Sequence, residues 1–169
     1  MNMLYLNLQI LVAFVVFILI FRLYLHPWFK AQPFGAAVMP MLLLHVFRYL
    51  GLTLLAPGQV EASVSPTALE VMAYGDLAAG ISALLAALAI YTRSSLSVPL
   101  VALFTLVGFG DFVSVGYTAA QAGIAQAEIG TMRFLMVTFA PALMLSQIYV
   151  AYRLVAHLFT KQPQQLTNH

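Results

Sequence analysis

Four side chains that can bind ions or transfer protons lie within long apolar stretches of the sequence: His45, Arg48, Asp76 and Asp111. A guanidinium and two carboxylates can pair with each other, hold the charged end of a ligand or pass on a proton, and an imidazole titrates near neutral pH. One such charge at the centre of a bilayer costs about 2.5–3.5 kcal/mol, so a lipid-facing position is unfavourable. The sequence therefore predicts that these residues face one another inside a helical bundle, as candidate ligand- or ion-binding residues.

The three charged residues lie at similar depths in their predicted helices. Arg48 is about seven residues from the end of its segment, Asp76 about nine from the start of the next, and Asp111 about seven from the end of the one after, or roughly 10–14 Å at about 1.5 Å per residue. Because consecutive helices run in opposite directions, all three fall at a similar distance below one membrane surface. His45 precedes Arg48 by three residues and lies one turn deeper on the same helix face.

The charge balance of this layer is uneven, because two carboxylates face one guanidinium. A proton on either carboxylate, a protonated His45, Arg133 reaching in from the last apolar segment, or a bound cation could supply the missing positive charge. The alternative is purely structural: Arg48 pairs with Asp76 or Asp111, and the network does no more than fix the helix packing.

Four further polar residues are secondary candidates because they lie near this layer: Tyr74, Ser114, Arg133 and Gln147. Tyr74 precedes Asp76 by two residues, and Ser114 follows Asp111 by three. A tyrosine near the end of a membrane helix is also typical of the aromatic belt, and Gln147 could simply form a hydrogen bond across helices. These four are therefore weaker candidates than the charged residues.

The composition shows what kind of element must position these residues. Of 169 residues, 63% are hydrophobic and 7% are charged, and the mean hydropathy is +0.96. Ordinary soluble domains have about 45–50% apolar and about 25% charged residues. The values exclude a soluble globular enzyme, a disordered chain and a nucleic-acid-binding protein, and they favour a polytopic membrane protein. The absence of cysteine excludes disulfides, thiolate catalysis and cysteine-ligated metal centres.

Five segments are apolar and long enough to span a bilayer, which takes about 20 residues. The fold is therefore predicted to be an all-α bundle of five transmembrane helices in one domain. The predicted helices cover residues 3–25, 36–55, 67–91, 98–118 and 131–160, followed by a polar tail at 161–169. The first segment lacks a preceding cationic region, so it is predicted to be a retained helix rather than a signal peptide.

Positive charges fall on alternate connections between these segments. The second loop has Glu61 and no Lys or Arg. The first loop, the third loop and the C-terminal end carry Lys and Arg, and the residues concerned are Arg22, Lys30, Arg93, Arg153 and Lys161. Because cytoplasmic loops are enriched in Lys and Arg, this pattern predicts an N-terminus outside and a C-terminus in the cytoplasm.

No cofactor is predicted from the sequence. His26 and His157 match in depth and could in principle ligate haem, but both are near Lys or Arg and fit an interfacial position better. A metal held by His45 and the two aspartates has acceptable ligand types, but Arg48 beside them would repel a cation. No nucleophile–base pair or phosphate-binding loop is present, so an enzyme is not favoured.

Several short motifs resemble one group of proteins. The layout His45-x-x-Arg48-x-x-Gly51, Tyr74-Gly75-Asp76-Leu77 and Gly108-x-x-Asp111 is similar to small polytopic bacterial membrane proteins that are usually left uncharacterised. The resemblance covers the second to fourth predicted helices. It implies a bacterial cytoplasmic (inner) membrane and no particular activity.

Three hypotheses about function follow. The first is a protein that binds or transports a small solute, an ion or a proton at the charged layer. The second is an accessory membrane subunit in which the Arg–Asp network only fixes helix packing. The third is an intramembrane enzyme or haem-binding protein. The expected partners are the lipid bilayer and either further copies of the chain or other membrane subunits, but not nucleic acid.

Overall fold

A computed structural model describes residues 3–161, and all the regular structure in this part of the chain is helical. The second helical rod changes from α to 3-10 geometry, and the first contains one wider π turn. The elements are α1 (Met3–Ile20), the π turn (Phe21–Leu25), α2 (His26–Lys30), α3 (Phe34–Val46), the 3-10 segment (Phe47–Leu55), α4 (Pro66–Tyr91), α5 (Ser97–Gln121) and α6 (Met132–Lys161).

Five continuous helical rods are long and apolar enough to cross a membrane, which confirms the predicted all-helical class and number of spans. They cover Leu4–Lys30, Phe34–Leu55, Pro66–Tyr91, Ser97–Gln121 and Met132–Thr160. The direction of the termini across the membrane stays a prediction. Of the predicted polar tail, residues 162–169 lie outside the described part of the chain.

The first rod is longer than predicted, because it does not end before Pro27. In the π turn the N–H of His26 donates to the carbonyl of Phe21, five residues earlier. Proline has no N–H, and in an α-helix its ring collides with the carbonyl four residues before it. A wider turn placed just before Pro27 opens the hydrogen-bond ladder there, so the helix continues through α2 to Lys30.

Four of the rods form a closed bundle. The rod made by α3 and the 3-10 segment packs on α4, α4 packs on α5, α5 packs on α6, and α6 returns to α3. Helix α1 lies outside this ring and packs mainly on α6, and no residue of its most apolar stretch is buried. The interior is therefore built by the last four rods, which are also the rods that carry the charged layer.

Two apolar cores lie above and below that layer. The larger includes Phe29, Leu42 and Phe104, and the smaller includes Leu54 and Ile124. Along each of the four rods, the polar positions fall between residues of the two cores. The interior is thus apolar at both ends and polar at one intermediate level.

The loops at the smaller core hydrogen-bond to each other. The N–H of Glu61 donates to the carbonyl of Glu128 at 2.8 Å, and the amide of Gln59 donates to the carbonyl of Ile129 at 3.1 Å. These bonds connect the loop before α4 to the loop before α6. They close the end of the bundle nearest the charged layer.

Candidate ligand-binding site

The structure brings Arg48, Asp76 and Asp111 together in the bundle interior, as the depth argument predicts, and we call these three residues the Arg48 cluster. The Nε of Arg48 donates to Oδ1 of Asp76 at 2.8 Å, and its Nη2 donates to Oδ2 of Asp111. The side chains of Arg48 and Asp111 are 1% and 3% exposed, while that of Asp76 is 25% exposed. Asp76 is thus the carboxylate that solvent or a ligand reaches first.

The 3-10 segment explains why Arg48 meets Asp76. A 3-10 helix has about 3.0 residues per turn, so residues three apart lie on one line, whereas in an α-helix the same step falls about 60° short of a full turn. The buried residues of the segment are Arg48, Gly51 and Leu54, at this spacing. Its 3-10 geometry therefore keeps Arg48 and Gly51 facing α4 together.

The two carboxylates of the Arg48 cluster each pack against a glycine of the preceding rod. A Cβ at Gly51 would lie 2.6 Å from Oδ2 of Asp76 and 2.8 Å from its Cβ. A Cβ at Gly75 would collide with the carboxylate of Asp111. The glycines therefore make the space in which both carboxylates reach Arg48.

Gln147 of α6 also packs against a glycine of the preceding rod, Gly108 of α5. A Cβ at Gly108 would lie 2.6 Å from Oε1 of Gln147, whose Nε2 donates to the carbonyl of Thr105 at 3.2 Å. Gln147 is fully buried, and its Oε1 has no hydrogen-bond partner among the described residues. In the sequence, each of these glycines lies within one turn of a polar residue, which is the signal that could have indicated their role.

His45 lies in a neighbouring polar pair rather than in the Arg48 cluster. Its Nε2 is 2.9 Å from Oγ of Ser146, which itself donates to the carbonyl of Leu143 at 2.9 Å. The direction of the bond between Ser146 and His45 follows the tautomer of the ring. Nδ1 of His45 is buried without a partner among the described residues, and the ring edge packs on Phe104.

Three secondary candidates lie away from the Arg48 cluster. Tyr74 is 56% exposed, and Ser114 is also exposed on the outer side of α5. Arg133 lies near the start of α6, where its Nη2 donates to the carbonyl of Ala127 at 3.3 Å. The structure therefore does not place these three against the charged layer, because helix rotation turns each toward another surface.

A cavity of about 140 Å³ adjoins the Arg48 cluster. One side is formed by the cluster itself and the rest is apolar, with Phe112 and three methionines: Met72, Met132 and Met136. The guanidinium carbon of Arg48 lies 4.5 Å from the centre of the Phe112 ring, in cation–π contact. The cavity is thus an apolar space with one polar wall.

Two polar atoms of the Arg48 cluster, Nη1 of Arg48 and Oδ1 of Asp111, are buried and have no hydrogen-bond partner among the described residues. Oδ1 of Asp111 faces Gly75, which does not line the cavity. The acceptor that a molecule in the cavity can reach is therefore the quarter-exposed carboxylate of Asp76. With all three side chains ionised the cluster carries a charge of −1, which favours a proton or a positive group.

The described residues contain no group of three or more His, Asp or Glu side chains that could hold a metal ion. The two histidines considered for haem, His26 and His157, line a second and larger cavity at the other end of the bundle. There His157 stacks on Phe34, with ring centres 4.4 Å apart and planes 17° apart. Haem ligation at this pair stays an untested alternative.

Comparison with known proteins gives a family but no activity. No curated protein and no solved structure matches the chain. A family model, that of a domain of unknown function called DUF8737, matches residues 5–155. The match covers most of the chain, including the whole Arg48 cluster and the helices around it. The chain therefore belongs to the DUF8737 family.

Proposed function

We propose that this protein binds a small, mostly apolar molecule in the 140 Å³ cavity and holds its single polar group against the Arg48 cluster. The observation that carries this proposal is the Asp76 carboxylate, which is a quarter exposed and forms part of the one polar wall of an otherwise apolar space. A hydroxyl group of the ligand would donate to this carboxylate.

The size and lining of the cavity limit the ligand. An apolar cavity of about 150 Å³ accommodates a molecule the size of benzene. Methionine side chains adapt to ligands of different shape, and three of them line the apolar walls. The chemical class is therefore a compact aromatic or aliphatic body that carries one hydroxyl or an equivalent group.

The membrane setting is part of the same proposal. With the N-terminus outside and the C-terminus in the cytoplasm, the Arg48 cluster lies in the outer half of a bacterial inner membrane. The ligand would enter from the outer face or from the lipid, and binding could be the first step of transport. The Asp76 carboxylate, a quarter exposed, is the group of the cluster that it meets first.

The test uses phenol and benzene as probes with the purified full-length chain in detergent. We expect phenol to bind at least ten-fold more tightly than benzene in calorimetric titration, because hydrogen bonds to charged groups are worth about 1.5–3 kcal/mol. Met136→Phe replaces a lining residue outside the Arg48 cluster with a bulkier one and should abolish binding of both. Ser114→Ala, on the exposed side of α5, is the matched control and should bind like the wild type.

Two results would contradict the proposal. Phenol and benzene binding with equal affinity would show that the Asp76 carboxylate does not select the ligand. Phenol binding that survives Met136→Phe would place the ligand elsewhere.

A second candidate function is favoured by the glycine contacts. Gly51, Gly75 and Gly108 each make space for one polar side chain, so the same network can lock the four rods in register. On this view the protein is an accessory membrane subunit, and its partners contact the outside of the bundle. Failure of both probes to bind, together with strong destabilisation by any change in the Arg48 cluster, would favour this second function.

A further inference from the structure

A second cavity, of about 410 Å³, lies at the end of the bundle opposite the Arg48 cluster. It is bounded by the short helix α2, the turn that follows it and the last three turns of α6. Four basic side chains line it: His26, Lys30, Arg153 and His157. We call this space the basic cavity.

No acidic side chain lies beside the two cations of this cavity, Lys30 and Arg153. The five Asp and Glu residues of the chain are Glu61, Glu70, Asp76, Asp111 and Glu128. None of them lines the basic cavity, and neither Lys30 nor Arg153 forms an ion pair with a described residue. These two cations therefore present positive charge to the cavity.

Arg153 is held rigidly in the wall of this cavity. Its Nη1 donates to the carbonyl of Phe29 at 2.6 Å and to the hydroxyl of Tyr149 at 3.0 Å, and its Nη2 donates to the carbonyl of Gln32 at 2.8 Å. These bonds attach α6 to the end of α2 and fix the position of the guanidinium. A fixed guanidinium is a prepared partner for an anion, because little side-chain entropy is lost on binding.

The aromatic side chains place the basic cavity at the level of lipid headgroups. Trp28 is 53% exposed near the end of α2, and Tyr91 is 79% exposed at the end of α4, at the same end of the bundle. Exposed Trp and Tyr at helix ends are typical of the membrane–water interface. Basic pockets between membrane helices at this level bind anionic headgroups.

We propose that the basic cavity binds a phosphate group, supplied by the headgroup of an anionic phospholipid or by a soluble phosphate ester. Arg153 gives the fixed positive charge, and Lys30 and the two histidines surround the bound anion. The proposal concerns a different site from the Arg48 cluster, and either could be correct without the other.

The test measures thermal stabilisation of the full-length chain by two probes. One is phosphatidylglycerol in mixed micelles with phosphatidylcholine as the neutral control, and the other is inorganic phosphate. Lys30→Gln should lower the apparent affinity about five-fold, because one Lys near an anionic headgroup contributes about a five-fold gain in affinity. Lys30 is exposed, so this change leaves the fold intact.

Arg93→Gln is the matched control, because Arg93 is also basic and exposed at the same end of the bundle but does not line the cavity. Stabilisation by phosphatidylglycerol that Lys30→Gln weakens and Arg93→Gln leaves unchanged supports a lipid headgroup. The same pattern with inorganic phosphate supports a soluble ligand. Equal losses in both variants, or no loss in Lys30→Gln, would show only general surface attraction and would overturn the proposal.

Discussion

At the scale of single residues, the main question is what holds one guanidinium between two carboxylates in an apolar interior. Arg48 uses Nε for Asp76 and Nη2 for Asp111, so each carboxylate accepts from a different nitrogen of the guanidinium. Burying these charges is costly, and the pairing offsets that cost only while all members are present. Removing Arg48 leaves the buried carboxylate of Asp111 without its cation.

The first stability prediction follows from this dependence. Arg48→Gln should lower the free energy of unfolding in detergent by about 3–5 kcal/mol, because Asp111 then stays buried without its partner. The double change Arg48→Gln with Asp111→Asn should recover part of this loss. A double variant as unstable as the sum of the two single variants would show that the two side chains are not coupled.

At the scale of secondary structure, the glycines decide how closely the rods approach. Gly75 faces the carboxylate of Asp111, whereas Gly110, on the neighbouring helix, has no atom within 4 Å of where its Cβ would lie. The two positions are both glycines within long helices but differ in what they contact. Comparing an alanine at each position therefore separates the effect of packing on stability from the effect of helix propensity.

The second stability prediction compares these two glycines. Gly75→Ala should destabilise the protein by about 1–3 kcal/mol, because the added methyl group displaces Asp111. Gly110→Ala should be neutral or stabilise it by up to about 1 kcal/mol, because alanine has the higher helix propensity. Denaturant unfolding in detergent measures both. If Gly75→Ala stabilised the protein as well, Asp111 would not need the space that the structure assigns to it.

At the scale of the whole molecule, the charges are divided between the two ends. The loops beside the smaller core carry Glu61 and Glu128, while Arg93 and Arg153 lie toward the end with the basic cavity. By the positive-inside rule this second end is predicted to face the cytoplasm. The two cavities would then face opposite sides of the membrane.

Orientation can be tested directly because the chain has no cysteine of its own. In intact bacterial cells, a membrane-impermeant thiol reagent should label Ala62→Cys, in the loop before α4. The same reagent should label Ser95→Cys, in the loop before α5, only after the cells are opened. Both positions are exposed in the structure, so a difference in labelling reports the side of the membrane. Labelling of Ser95→Cys in intact cells would reverse the predicted orientation.

The amino-acid sequence by itself determined the five apolar helices and the level at which Arg48, Asp76 and Asp111 meet. Both follow from quantities that are local or one-dimensional: the length of an apolar run and the number of residues from its end. It also showed that a charge in this setting must have a partner. The continuation of the first rod past Pro27 was missed, because proline is a reliable helix breaker only where no wider turn precedes it.

Only the tertiary structure decided which groups share a site. Tyr74 is two residues from Asp76, yet it faces outward, while Gln147, from a distant part of the sequence, packs against Gly108. The separation of His45 from the Arg48 cluster and the presence of both cavities were equally beyond sequence reasoning. The physical reason is that rotation of each helix about its axis depends on close packing against its neighbours, which hydropathy and spacing do not contain.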